Sequence, residues 1–200
     1  MLYILTLALA MTGMTFAQGR THRDFIEYRT TGGMRASYNS VNLGNTDEAL
    51  NLHGASFGYH IRIPLSLYSP VYLETGGGAN YMGGNLTDDS RMDVWSIYAP
   101  VHIGYCYTLE RGVDIFPYAG LNLRCNLAGH LKSDGRKYNF FDRDEVGPES
   151  VMKRYQAAYT IGISFTFNGF VLGTSFMQDL TDIASGTKVS MAQLTLGFNF

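Results

Sequence analysis

Three features of the sequence predict an all-β protein, an eight-stranded antiparallel transmembrane up-and-down β-barrel. Eight segments alternate apolar and polar residues with period two, an Asn-Gly turn joins two of them, and the connections alternate between short and long. Composition agrees: charged residues are 16% of the 200-residue chain and aromatics 14%, whereas a typical soluble domain is about 25% charged. Glycine supplies 23 residues, and mean hydropathy is only −0.06. Such a chain is too aromatic for a disordered tail. Outside the first 17 residues no apolar run approaches 18, which excludes a helical membrane protein. The net charge of −2 excludes a generic basic nucleic-acid binder.

Residues 2–17, LYILTLALAMTGMTFA, carry no Asp, Glu, Lys or Arg. Leu2–Met11 has the length of a secretory apolar core, and Thr15-Phe16-Ala17 before Gln18 fits the small-x-small cleavage rule. Residues 1–17 are therefore expected to be a signal peptide, 18–31 a periplasmic segment and 32–200 a single barrel domain.

The strands follow in order. In 32–41, Met34, Ala36 and Tyr38 oppose Gly33, Arg35, Ser37 and Asn39; in 53–63, Phe57, Tyr59 and Ile61 oppose Ser56, Gly58, His60 and Arg62. Segment 71–81 sets Val71, Leu73 and Tyr81 against Glu74, Gly76 and Asn80, and 94–107 sets Trp95, Ile97, Val101 and Ile103 against Ser96, His102 and Gly104. Segment 116–127 sets Leu121, Leu123 and Cys125 against Gly120, Asn122 and Arg124. Alternate side chains of a strand point to opposite faces, so each segment has one bulky apolar face and one small or polar face. The clearest case is 155–167, YQAAYTIGISFTF, followed by Asn168-Gly169 and the return strand FVLGTSFMQD. A two-residue turn here pairs 167 with 170, 165 with 172, 163 with 174 and 161 with 176. The apolar faces Phe165, Ile163, Ile161 and Phe170, Leu172, Phe176 then coincide. The last strand, 190–200, alternates likewise and ends on Phe200.

Links near 64–70, 108–112 and 168–169 are short, whereas those near 42–51, 83–93, 128–154 and 180–188 are longer and more polar. Short turns at one rim and long loops at the other are the pattern of bacterial transmembrane barrels, with both termini at the periplasmic rim. A soluble barrel would turn its apolar faces inward, but an eight-stranded interior holds only side chains or one small ligand. The Phe, Tyr, Trp and Ile side chains are too many for that space. They belong against lipid, with glycine, hydroxyl, amide and a few charged side chains inside. Phe200 on the outward face of the last strand matches the signal read by barrel-insertion machinery.

The stretches YQAAYTIGISFTFNGFVLGTSFMQDLTDI, VSMAQLTLGFNF and FPYAGLNLRC, and more loosely GGMRASYNSV, resemble the PorT-like outer-membrane β-barrels of Bacteroidetes-type bacteria. The resemblance spans about residues 32–200. It implies a bacterial outer-membrane location and, for some relatives, a link to protein secretion. It supplies no active residues to carry over.

Inward charges form the first candidate site: Arg35, His60, Arg62, Glu74, His102 and Arg124. Counting from the turn near 66 brings His60 or Arg62 beside Glu74, and a pair of opposite charges is the natural answer to a low-dielectric lumen. The expected role is structural, a polar plug. Cys106 and Cys125 fall about nine rungs apart on opposite faces, about 30 Å at 3.4 Å per residue. That distance exceeds disulfide reach, so two free thiols are expected.

Loop 128–154 holds 11 of the chain's 32 charged residues, interrupted by Tyr138, Phe140 and Phe141. With Arg143 these aromatics suit a contact patch for a protein or glycan partner. Asp142, Asp144 and Glu145 lack the glycine and ligand spacing of a calcium loop. Nothing in the sequence calls for a metal or a cofactor, and no catalytic residues are assigned. The expected function is a non-enzymatic outer-membrane barrel acting through its loops. Two alternatives are an accessory subunit of an envelope secretion or assembly complex, and a rim enzyme on lipid using His53, His130 and Ser133.

Overall fold

The computed structural model describes residues 29–44, 50–66, 69–87, 89–109, 112–133, 135–147, 151–184 and 186–200. The signal peptide expected at 1–17, and the segment expected at 18–31 up to residue 28, lie outside these residues. The strands are β1 (Thr31–Gly44), β2 (Leu50–Ser66), β3 (Ser69–Thr87), β4 (Ser90–Tyr105), β5 (Tyr107–Thr108), β6 (Val113–Ser133), β7 (Arg136–Asn139), β8 (Tyr155–Phe167), β9 (Phe170–Asp179) and β10 (Lys188–Asn199). One short helix, α1, spans Arg143–Val146.

Every pairing is antiparallel, and the wall runs β1-β2-β3-β4-β6-β8-β9-β10. It closes where β10 returns to β1, from Gly33↔Asn199 to Gly44↔Lys188. Eight strands therefore make a shut barrel with no free edge. β5 prolongs the line of β4 along β6, and β7 folds back on β6 beyond the wall. The described start of β1 and the end of β10 lie at the rim that carries the turns after β2, β5 and β8.

The hairpin of β8 and β9 has the register that its sequence specifies: Phe167↔Phe170, Phe165↔Leu172, Ile163↔Thr174 and Ile161↔Phe176. Asn168 and Gly169 take φ of 48° and 84°, the left-handed pair that a type I′ turn needs. A Cβ on Gly169 would also sit 2.9 Å from the Asn199 carbonyl oxygen. Gly169→Ala should therefore cost about 1–2 kcal/mol in detergent unfolding, whereas Asn168→Gly should cost little.

Alternation sorts the side chains as the sequence requires. Phe57, Trp95, Ile103, Leu123, Leu172, Leu196 and Phe200 are exposed on the outer wall, while Asn39, Glu74, Ser96, Asn122 and Ser164 are buried inside. Trp95 and Tyr105 lie ten residues apart on β4, about 34 Å along the strand. At a tilt of about 40° that is about 26 Å along the barrel axis, the height of a bilayer's apolar band.

Each border of the band carries aromatics. Toward the long loops they are tyrosines with bonded hydroxyls: Tyr38 Oη lies 2.6 Å from His53 Nδ1, and Tyr159 donates to Gln178 Oε1 at 2.6 Å. Toward the turns they are mainly phenylalanines, with Phe170 edge-on to Phe198 at 5.2 Å and Tyr59 against Phe200 at 6.0 Å. Tyrosine suits a border where one end of the ring is wet.

Several strands run further than the alternation suggests, β3 to Thr87 rather than 81 among them. β4 starts at Ser90 rather than 94, and β6 continues to Ser133 rather than 127. A bulge explains the difference in β6: Trp95 opposes Ala128 while Ser96 opposes Asn126, so Leu127 is extra. One added residue breaks period two without ending the strand.

Candidate functional site

The lumen is built in layers. At the turn end, register alone places Arg62 opposite Glu74 and Glu74 opposite His102. Arg62 Nε donates to Glu74 Oε2 at 2.7 Å and Nη2 to Ser164 Oγ at 2.9 Å. The guanidinium lies 4.1 Å over the ring of Phe116, which is fully buried and edge-on to Tyr72. The second carboxylate oxygen of Glu74 faces two histidines: His60 Nδ1 at 3.5 Å and His102 Nδ1 at 3.7 Å. His60 Nε2 lies 3.3 Å from Tyr98 Oη, and His102 stacks on Tyr118 at 5.0 Å. Arg35 also faces this layer, but among the described residues no carboxylate lies within 4 Å of it: Nη2 donates to Asn199 Oδ1 and Nη1 to its neighbour's carbonyl.

Large side chains fit because glycines face them. A Cβ on Gly162 would lie 2.5 Å from Tyr118 Cζ, and one on Gly104 would overlap Phe116.

The middle layer consists of amides and hydroxyls. Ser175 donates to Gln193, Gln193 to Asn39 and Ser56, Asn39 to Asn80, and Asn80 to Ser96, at 2.8–3.3 Å. The chain crosses the lumen from β9 to β4. Beyond it, Arg124 Nη2 binds both oxygens of Asp179 at 2.6 and 2.7 Å.

This arrangement divides the six charged residues read from the sequence. Arg35, His60, Arg62, Glu74 and His102 gather at the turn end. Arg124 stands four residues along β6 from Gly120, the partner of His102, about 13 Å away. Its partner Asp179 was not singled out, although the inward parity of β9 (171, 173, 175, 177, 179) reaches it.

The loop end is apolar. Val41, Leu43, Leu52, Met82, Met92, Val94, Met177, Val189 and Met191 point inward there and enclose Phe140, Met152 and Ile183 from the loops. Backbone bonds hold the cap: Phe140 N–H donates to the Gly129 carbonyl at 3.0 Å, Met152 N–H to Phe140 at 2.9 Å, and Lys153 N–H to Ile183 at 2.8 Å.

The four residues read as one contact patch are thereby separated. Phe140 is 9% exposed and belongs to the plug. Phe141 packs against that plug beneath the Arg154 guanidinium at 4.2 Å, Tyr138 on β7 is half-buried, and Arg143 at the start of α1 is exposed. Burial of Phe140 is driven by the apolar mouth above Arg124, which needs a cover.

No family model and no curated protein matches the sequence. Solved structures do. Neisserial surface protein A superposes with a TM-score of 0.57 at 12% identity, over 86% of this chain and 98% of that one. Ail, the attachment invasion locus protein of Yersinia pestis, superposes with a TM-score of 0.51 at 15% identity, over 86% of this chain and 100% of that one. The fold is that of an outer-membrane β-barrel.

Within this outer-membrane barrel fold, the lumen holds a cavity of about 50 Å³ that runs from Arg35, Glu74 and His102 at the turn end to Arg124, Met177 and Met191 toward the loops. It has room for about three to five waters. Cys106 and Cys125 are free, and Cys125 pairs with Ile97 on the outer face as expected. His53, Gly83, Asp93 and His130 form one continuous rung across β2, β3, β4 and β6. At about 4.8 Å per strand, the two histidines stand about 14 Å apart along the wall. His53 is engaged with Tyr38 instead, at 2.6 Å.

Proposed function

We propose that the protein is a non-enzymatic bacterial outer-membrane barrel with a closed lumen and periplasmic termini, and that it works by binding a protein or glycan through its extracellular loop face. The observation that carries this reading is the filling of the lumen by the Glu74 layer, the amide chain, the Arg124–Asp179 pair and the Phe140 plug. A filled lumen leaves the outer ends of the strands as the working surface. There β6 and β7 project as a hairpin and α1 is capped by Asp142, which accepts from Asp144 N–H at 3.0 Å. Arg136, Lys137 and Arg143 are exposed on this projection. Its charge and its ordered backbone support a contact role better than a solvated tether.

Because Phe140 belongs to the core, excision of the loop would disturb the barrel, and a surface substitution is the cleaner test. Arg136→Glu, Lys137→Glu and Arg143→Glu together should leave the unfolding temperature unchanged and reduce binding of barrel-bearing cells to host or neighbour-cell glycan and protein arrays at least tenfold. Unchanged binding would count against the loop face.

The likeness of 155–183 and 189–200 to PorT-like barrels favours a second reading, an accessory subunit of an envelope secretion or assembly complex. Crosslinking in native envelopes separates the two. Stoichiometric envelope partners retained after solubilisation support the accessory reading, and an isolated barrel supports the first.

A further inference from the structure

The turn-end layer holds more positive charge than its carboxylate answers. Arg62 and Glu74 form a close pair at 2.7 Å. Arg35 is only 5% exposed, yet its hydrogen bonds reach neutral oxygens of Asn199 and Met34. Among the described residues no carboxylate comes within 4.0 Å of its guanidinium. Removing an unpaired guanidinium from water is costly, and a neutral amide oxygen does not offset a full charge.

A second observation lies in the same place. His102 is 4% exposed; its Nδ1 stands 3.7 Å from Glu74 Oε1, beyond hydrogen-bond distance, and its Nε2 has no hydrogen-bond partner. Every neutral imidazole carries one N–H to place, so the ring presents polar capacity to the space beside it. That space is the turn end of the lumen cavity, whose total volume is about 50 Å³, and there Arg35 and His102 line it together with Arg62, Glu74 and the hydroxyl-bearing Tyr98 and Tyr118. Waters there would satisfy donors but would leave the charge of Arg35 in place. An anion would do both.

We propose that the lumen binds one small inorganic anion of halide size, held by the Arg35 guanidinium with N–H and O–H donors from His102, Tyr98 and Tyr118. The size of the cavity sets the class. At about 10–15 Å³ for each water-sized occupant, a total of about 50 Å³ spread along the lumen leaves room beside Arg35 for a halide rather than for a phosphate ester or another organic anion. The ion completes the plug and makes barrel stability depend on which anion is present. This inference rests on the lumen alone and is independent of the loop reading.

The test is thermal unfolding of the full chain in detergent, in sodium chloride or bromide and in sodium gluconate at equal ionic strength. At a halide concentration about a hundred times the Kd, the midpoint should lie roughly 5 °C higher than in gluconate. Arg35→Gln should abolish the difference and Arg35→Lys, which keeps the charge, should retain part of it. Equal midpoints in the two salts, or a difference that persists in Arg35→Gln, would overturn the proposal. Should Arg35→Gln not fold, crystals grown in bromide decide the matter by anomalous scattering. A peak beside Arg35 and His102 supports the site, and a lumen without one refutes it.

Discussion

Glu74→Gln should destabilise the barrel by about 3–5 kcal/mol. The substitution removes the only carboxylate of the turn-end layer among the described residues and leaves Arg62, bonded at 2.7 Å in the native protein, as an unanswered buried cation. The cost is that of the abandoned charge rather than the worth of the pair. Replacing both partners, Arg62→Met with Glu74→Leu, should therefore cost much less than Glu74→Gln alone. Denaturant unfolding in detergent measures both variants, and conductance in planar bilayers should stay unchanged in each. A Glu74→Gln protein as stable as the parent, with altered conductance, would place the residue in a pathway rather than in a structural plug.

The second large effect belongs to Phe140. Phe140→Ala should cost about 3–5 kcal/mol, the range for truncating a buried aromatic. It should also raise hydrogen exchange at Phe140 and Met152, whose amides bond to Gly129 and Phe140. Tyr138→Ala, at a half-buried residue of the otherwise exposed β7, should cost under about 1 kcal/mol. Comparable small losses in both variants would mean that the loop is a surface element and the plug is not built on it.

The contrast between these two residues shows what the sequence could disclose. The wall was legible because its rules are local. Period two assigns every face, and Asn168-Gly169 fixes a register that the other strands inherit through closure. Arg62 beside Glu74 followed by counting rungs from one turn. The loop was not legible in the same way. Phe140 and Phe141 stand among charged residues in a segment without periodicity, and only the three-dimensional mouth decides which ring turns inward.

A signal was nevertheless present. Inward positions change character along the strands, from Asn39 to Val41 and Leu43, from Asn80 to Met82, and from Ser96 to Val94 and Met92. A polar lumen that becomes apolar at one end requires an apolar cover, and the nearest large loop supplies it. Asp179 was hidden for a different reason. It ends its strand, where an acidic residue reads as the start of a polar loop, and its pairing with Arg124 joins β9 to β6 across the intervening β8. The bulge at Leu127 concealed the outer part of β6 by shifting parity at one residue.

The central claim is that the barrel is filled from rim to rim, so that its function lies outside the lumen. Single-channel recording of the purified wild-type protein in planar bilayers tests this most directly. A baseline without conductance steps across a range of voltages is the expected result. A steady, voltage-independent conductance proportional to the number of inserted barrels would contradict it.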